Sequence, residues 1–191
     1  MRKTAVALVI ALALTLTACG TGGDTPSSAP DDPQPTWAVP CVAPSGALPP
    51  GDDIGKLALP CLGGDQTATP LANGMPTVLN LWASWCQPCR TELPEVDAFY
   101  KAAQGEVAVL GVDTSDTASA ARFAAEDFKI TFPSRHDADG RLLALTGKRT
   151  LPVTVLLRAD GTVAHVYNGT PLTRQGLADL VAEHLGVRVG V

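Results

Sequence analysis

The apolar positions of this chain fall into short blocks whose alternation predicts an α/β domain. Thr77-Val78-Leu79-Asn80-Leu81-Trp82 is a β-prone run of strand length. Leu93, Val96, Phe99 and Tyr100 then recur at helical spacing, and the helix should end near Gln104-Gly105. Val107-Ala108-Val109-Leu110-Gly111-Val112-Asp113 is almost unbroken in its apolar character, the pattern of a parallel strand buried on both faces. Together these three make a βαβ unit. Thr114 to Ala118 is a loop that offers a cap for a helix over Ala120 to Phe128. Phe132-Pro133 opens an extended piece ending at the turn Asp137-Ala138-Asp139-Gly140, and Leu142, Leu143 and Leu145 suggest a short helix. Leu151 to Leu157 leads into an apolar strand, and Asp160-Gly161 between two apolar runs is a strong hairpin signal, so the last two strands should be antiparallel. Pro171 and Thr173 introduce a final helix with Leu177, Leu180, Val181 and Leu185 on one face and Gly186 closing it.

The first residues read differently. Arg2 and Lys3 precede an uninterrupted apolar run from Ala5 to Leu14, too short for a comfortable membrane span, which predicts a signal peptide over residues 1–18. Leu16-Thr17-Ala18-Cys19 resembles the bacterial lipobox, which implies cleavage before Cys19, lipidation of that cysteine and attachment to the outer face of a membrane. Residues 19–36 are rich in Gly, Thr, Ser, Pro and Asp without apolar periodicity, so they cannot bury enough surface to offset the entropy of ordering and are expected to form a flexible tether. The remaining residues 37–191 suit one domain with a full core.

Removing Arg2 and Lys3 would take the formal net charge from −5 to −7, which argues against a nucleic acid partner. No aromatic-basic interleaving suggests base stacking. The three histidines, His136, His165 and His184, are scattered over a loop, a strand and a helix and have no cysteine or histidine partner at ligand spacing, so we expect no metal site.

The chemistry concentrates where the first long strand meets its helix. Asn80-Leu81-Trp82-Ala83-Ser84-Trp85-Cys86-Gln87-Pro88-Cys89-Arg90-Thr91-Glu92-Leu93-Pro94 puts a Cys-x-x-Cys pair at a strand-to-helix turn. The unpaired amides and positive dipole of a helix N-terminus stabilise a thiolate, which makes Cys86 the candidate nucleophile. Pro88 suits the first helical turn, and that turn brings Cys89 round as the resolving thiol. Exchange would proceed by thiolate attack, a mixed disulfide on Cys86, and its release by Cys89, with no cofactor.

These residues resemble the thioredoxin superfamily, and in particular its TlpA-like or ResA-like membrane-anchored branch, over about Leu57 to Leu185. The resemblance implies a mixed central sheet with helices on both faces, an N-terminal extension, and an inserted strand and helix between Asp113 and Thr150. It also implies thiol-disulfide exchange on exported protein thiols or disulfides, such as apo-cytochrome c, with an integral-membrane electron donor. Cytosolic thioredoxins carry a buried aspartate where this chain has Asn80. Glu92, three residues after Cys89 and on the same helical face, matches an acidic position of the ResA-like proteins and is the candidate acid-base group. Pro152 matches the cis-proline that faces the two cysteines, which leaves the backbone of Leu151 to pair with a substrate peptide. Trp82 and Trp85 are expected to pack around the site, with Trp85 near substrate, and Lys148 and Arg149 to lie near the proline loop.

Cys41 and Cys61 remain once Cys19 is lipidated and Cys86 pairs with Cys89. In an exported protein they suit a structural disulfide, worth roughly 3 kcal/mol for a loop of about 20 residues. A second redox pair and a four-cysteine zinc site are the alternatives. For the whole protein, the same two active thiols would serve a reductase, an oxidant or an isomerase, and a non-catalytic thioredoxin-like module that binds peptide is the competing class. A thiol peroxidase would want threonine where Ala83 stands.

Overall fold

The structure is a computed structural model that describes residues 36–41, 51–64, 67–103 and 105–191. The signal peptide, Cys19 and the tether up to residue 35 lie outside the described residues. The domain is built on a five-stranded sheet of order β5-β4-β3-β6-β7. Its central strand, β3 (Thr77–Trp82), is buried at all six positions. It pairs in parallel with β4 (Ala108–Thr114) and antiparallel with β6 (Val153–Leu157). Outside these, β5 (Ser134–Asp137) is parallel to β4 and β7 (Val163–Tyr167) antiparallel to β6.

Both faces of the sheet are covered. On one, α2 (Gln87–Ala103), α3 (Ala118–Asp127) and α5 (Arg174–Leu185) pack on Val78, Trp82, Val109 and Leu156 through Leu93, Val96, Phe99, Ala121, Leu177 and Val181. On the other, Leu79, Leu81, Val112, Val153 and Val155 meet Ile54 of α1 (Asp53–Lys56) and Leu142 of α4 (Arg141–Leu145). Leu59 joins them from β1 (Ala58–Leu59), which pairs with β2 (Thr69–Pro70) as a separate two-stranded sheet. The helices end where their sequences direct. The Thr117 hydroxyl accepts the Ala120 amide at the start of α3, Thr173 accepts the Gly176 amide at the start of α5, and Gly186 closes α5 in the left-handed region.

Register decides what meets at the site. β3 and β4 run in parallel with Trp82 beside Asp113, and Thr114 lies beside Asp137 of β5. The antiparallel neighbour β6 sets Val153 beside Leu81. The ends of β3, β4 and β5 and the beginning of β6 therefore share one rim. Cys86, the loop after Thr114 and the Leu151-Pro152 peptide all emerge there.

Candidate active site

Cys86 immediately precedes α2, and its amide donates to the Ala83 carbonyl at 3.1 Å in the turn that ends the strand run. Cys89 lies one turn into the helix. The two sulfurs form a disulfide, S–S 1.98 Å with Cα atoms 5.3 Å apart, and both residues are buried. The Cys89 amide donates to Cys86 Sγ at 3.2 Å. That unpaired helical donor aimed at the sulfur favours the thiolate of Cys86 once the bond is reduced.

Glu92 sits beneath this turn and is 2% exposed. The Asn80 Nδ2 amide donates to its Oε1 at 2.6 Å, and the Leu172 backbone amide to its Oε2 at 2.9 Å. One side chain thus ties α2 to the central strand and to the segment before α5. Burial pushes its carboxyl above the usual range, and the two hydrogen bonds pull it back only in part. Asn80, which takes the place of a buried acid, serves as the donor that holds this one.

The Leu151-Pro152 peptide is cis. Asn168 holds the loop, its Nδ2 donating to the carbonyls of Thr150 at 3.0 Å and Pro152 at 2.8 Å. Leu151 packs on the cluster that contains Cys86 and Cys89. Among the described residues its own amide and carbonyl have no hydrogen-bond partner. Lys148 and Arg149 are exposed.

The two tryptophans diverge from the expectation that both pack around the site. Trp82 is fully buried in the strand, whereas Trp85 is 59% exposed beside Cys86. Only its indole edge is fixed, donating to the Ser115 carbonyl at 3.1 Å. The neighbouring Ser84 amide donates to Asp116 Oδ2 at 2.6 Å, so the loop after β4 is clipped to the two residues before Cys86. Alternation of β3 explains the split, because Trp82 points into the core while Trp85 lies past the strand at the rim.

The AhpC/TSA family profile matches residues 50–166. The chain belongs to this family. Sporulation thiol-disulfide oxidoreductase A of Bacillus subtilis is 32% identical over 114 residues, which cover 58% of this chain and 68% of that protein. Thiol-disulfide oxidoreductase ResA of Geobacillus thermodenitrificans is 33% identical over 98 residues, 51% of this chain and 56% of the relative. Among solved structures, a secreted Mycobacterium tuberculosis disulfide oxidoreductase homologous to E. coli DsbE aligns with TM-score 0.61 and 25% identity, covering 70% of this chain and 99% of its own. This AhpC/TSA-family chain is a thiol-disulfide oxidoreductase with the thioredoxin-like fold.

Elsewhere in this family member, Cys41 and Cys61 form a disulfide with S–S 2.16 Å and Cα atoms 5.8 Å apart. It lies along the outer edge of β5, where the Leu62 amide donates to the Ser134 carbonyl and the His136 amide to Pro60. The histidines are less scattered than their sequence positions suggest. The rings of His165 and His184 stack with centroids 3.9 Å apart, because β7 and α5 pack together. His136 Nδ1 lies 2.7 Å from Asp113 Oδ2 across β4 and β5. Among the described residues no group of three or more His, Cys, Asp or Glu side chains is arranged to hold a metal ion.

The sequence motif pointed to Cys86, Cys89, Glu92 and Pro152, but not to Asn168, Asp113, Asp116 or His136. Asp113 and His136 meet across two strands, Asn168 reaches the loop before β6 and Asp116 the turn before Cys86, so no local pattern marks them.

Proposed function

We propose that this oxidoreductase acts outside the cytoplasmic membrane as a reductase of exported protein disulfides, apo-cytochrome c among them, and is recharged by an integral-membrane electron donor. The arrangement that carries this reading is Cys86 at the start of α2, with the Cys89 amide on its sulfur and buried Glu92 three residues further along the helix. In the reduced enzyme the Cys86 thiolate attacks a substrate disulfide. A mixed disulfide forms and one substrate sulfur leaves as a thiolate, which takes a proton. Cys89 then gives up its proton and attacks Cys86 Sγ. The enzyme disulfide closes, the second substrate thiol is released, and two electrons have passed to the substrate.

Glu92, shielded from water and raised in pKa by burial, is the group suited to take the Cys89 proton. Leu151 would receive substrate backbone as a short added strand, and the exposed face of Trp85 would contact it. Support for the location comes from the sequence of residues 1–18, the lipobox-like run ending at Cys19, and the likeness to a secreted oxidoreductase. No helix among the described residues is long and apolar enough to cross a membrane; the lipobox-like run supports attachment through a lipid at Cys19. Cys41 and Cys61 would serve as a structural bridge.

Insulin reduction driven by a dithiol tests the activity. The full chain should turn over, Cys86→Ser should not, and Cys89→Ser should accumulate the mixed disulfide. A wild-type protein that binds peptide without turnover would instead support a binding module.

A further inference from the structure

The exchange steps above make no use of the polar cluster at the other flank of Cys86. Asp113 is the last residue but one of β4 and has no exposed surface, beside Trp82 on one side and His136 on the other. Its Oδ2 is 2.7 Å from His136 Nδ1, and its Oδ1 is buried without a hydrogen-bond partner among the described residues. A bare, ionised oxygen is costly in that setting, so the site favours keeping a proton on or next to Asp113.

Asp116 bears on Asp113 by its negative charge. The same carboxylate accepts the amides of Thr117 at 2.7 Å and Ser84 at 2.6 Å. Ser84 stands two residues before Cys86. From β5, Asp137 adds negative charge near His136 and is itself 3.7 Å from Arg141 Nε. Among the described residues no lysine or arginine pairs with Asp113 or Asp116. From α2, Glu92 meets the same sheet face one step along, at Asn80.

We propose that Asp113, His136 and Asp116 form a second proton-holding unit of the dithiol site, which binds a proton more tightly when Cys86 ionises. They are positioning residues, acting on Cys86 through charge and through the Ser84 contact. A thiolate adds negative charge to a rim that already holds two carboxylates, where the Arg90 guanidinium donates to the Ser84 carbonyl at 3.1 Å but pairs with neither carboxylate. The cluster answers by taking up part of the proton that Cys86 releases, so the thiolate is easier to form while the cluster is protonated. Burial pushes the Asp113 carboxyl up to about 6, and the hydrogen bond to Asp113 raises His136 above the ordinary imidazole value. This inference rests on Cys86 being the reactive thiol.

Coupling of this kind is reciprocal, which supplies the test. The ring protons of His136, assigned with His136→Gln, are followed by NMR against pH in the full chain, once as the disulfide and once as the dithiol. The proton affinity of His136 should be about fivefold higher in the dithiol form once Cys86 ionises, with His165 and His184 unmoved. In Asp113→Asn the Cys86 thiolate, read by its ultraviolet absorbance, should form at lower pH by a similar factor. Superimposable His136 titrations in the two redox forms of the wild type would overturn the proposal, the variant serving only for assignment. Insulin turnover on the same samples separates the two readings. Coupling without turnover would sink the reductase, and turnover without coupling would sink the cluster's role.

Discussion

Glu92 is a carboxylate removed from water on the sheet face that carries α2, and its chemistry follows from that placement more than from its type. Glu92→Gln keeps the shape and the acceptor for Leu172 but cannot take a proton, so insulin turnover should fall about a hundredfold while the fold survives. Stability should respond to pH in a defined sense. A carboxyl raised in the folded state stabilises fully below its ordinary range, and that contribution is lost as pH rises through the raised value. The denaturant midpoint of Glu92→Gln should therefore decline less than that of the wild type on going from acid to neutral pH, and an equal decline would refute the assignment. Asp113 acts in the same direction between its ordinary value of 3.8 and about 6, a span worth up to about 3 kcal/mol. Cys86, Cys89 and Glu92 were legible because they are neighbours along one helix, three residues apart. Asp113 and His136 are 23 residues apart and meet only through strand register, and Asn168 reaches the Pro152 loop from the next strand. Such pairings leave no local pattern to read.

At the scale of elements, apolar runs disclosed β3, β4 and β6 because these strands are buried on both faces. β5 gave a weaker signal. Its residues Ser134, Arg135, His136 and Asp137 are polar, yet three are almost completely buried, held by sheet pairing and by the segment around Cys61. The small β1-β2 pair was missed for a similar reason, since two residues per strand carry no periodicity. Gly111 shows how tightly the rim is built. A Cβ there would lie 2.3 Å from Ser134 Oγ, 2.8 Å from the Phe132 ring and 2.9 Å from Trp82 Nε1. Gly111→Ala should cost about 1–3 kcal/mol of stability in urea, as overpacking does. It should also disturb the Trp82-Asp113 row on which the cluster depends. A variant as stable as the wild type would mean that β4 and β5 separate more freely than their pairing implies.

For the whole molecule, the main consequence of the proposed function is a division of labour between the two disulfides. Replacing Cys41 and Cys61 together by alanine should lower stability by about 3 kcal/mol, the value for closing a loop of about 20 residues, while the folded enzyme still reduces insulin. Loss of turnover with the fold intact would instead make them a second redox pair. The broad architecture, one sheet with helices on both faces, was legible from alternating blocks of apolar residues. The loops that complete the rim were not, because their geometry comes from the sheet they leave. The account stands or falls on the direction in which the Cys86/Cys89 couple passes electrons. Its equilibrium reduction potential, measured against glutathione and dithiothreitol buffers, is the most direct test. A value near or below about −270 mV is predicted for a reductase that draws on a membrane donor, and a value near about −120 mV would contradict it and mark the protein as an oxidant.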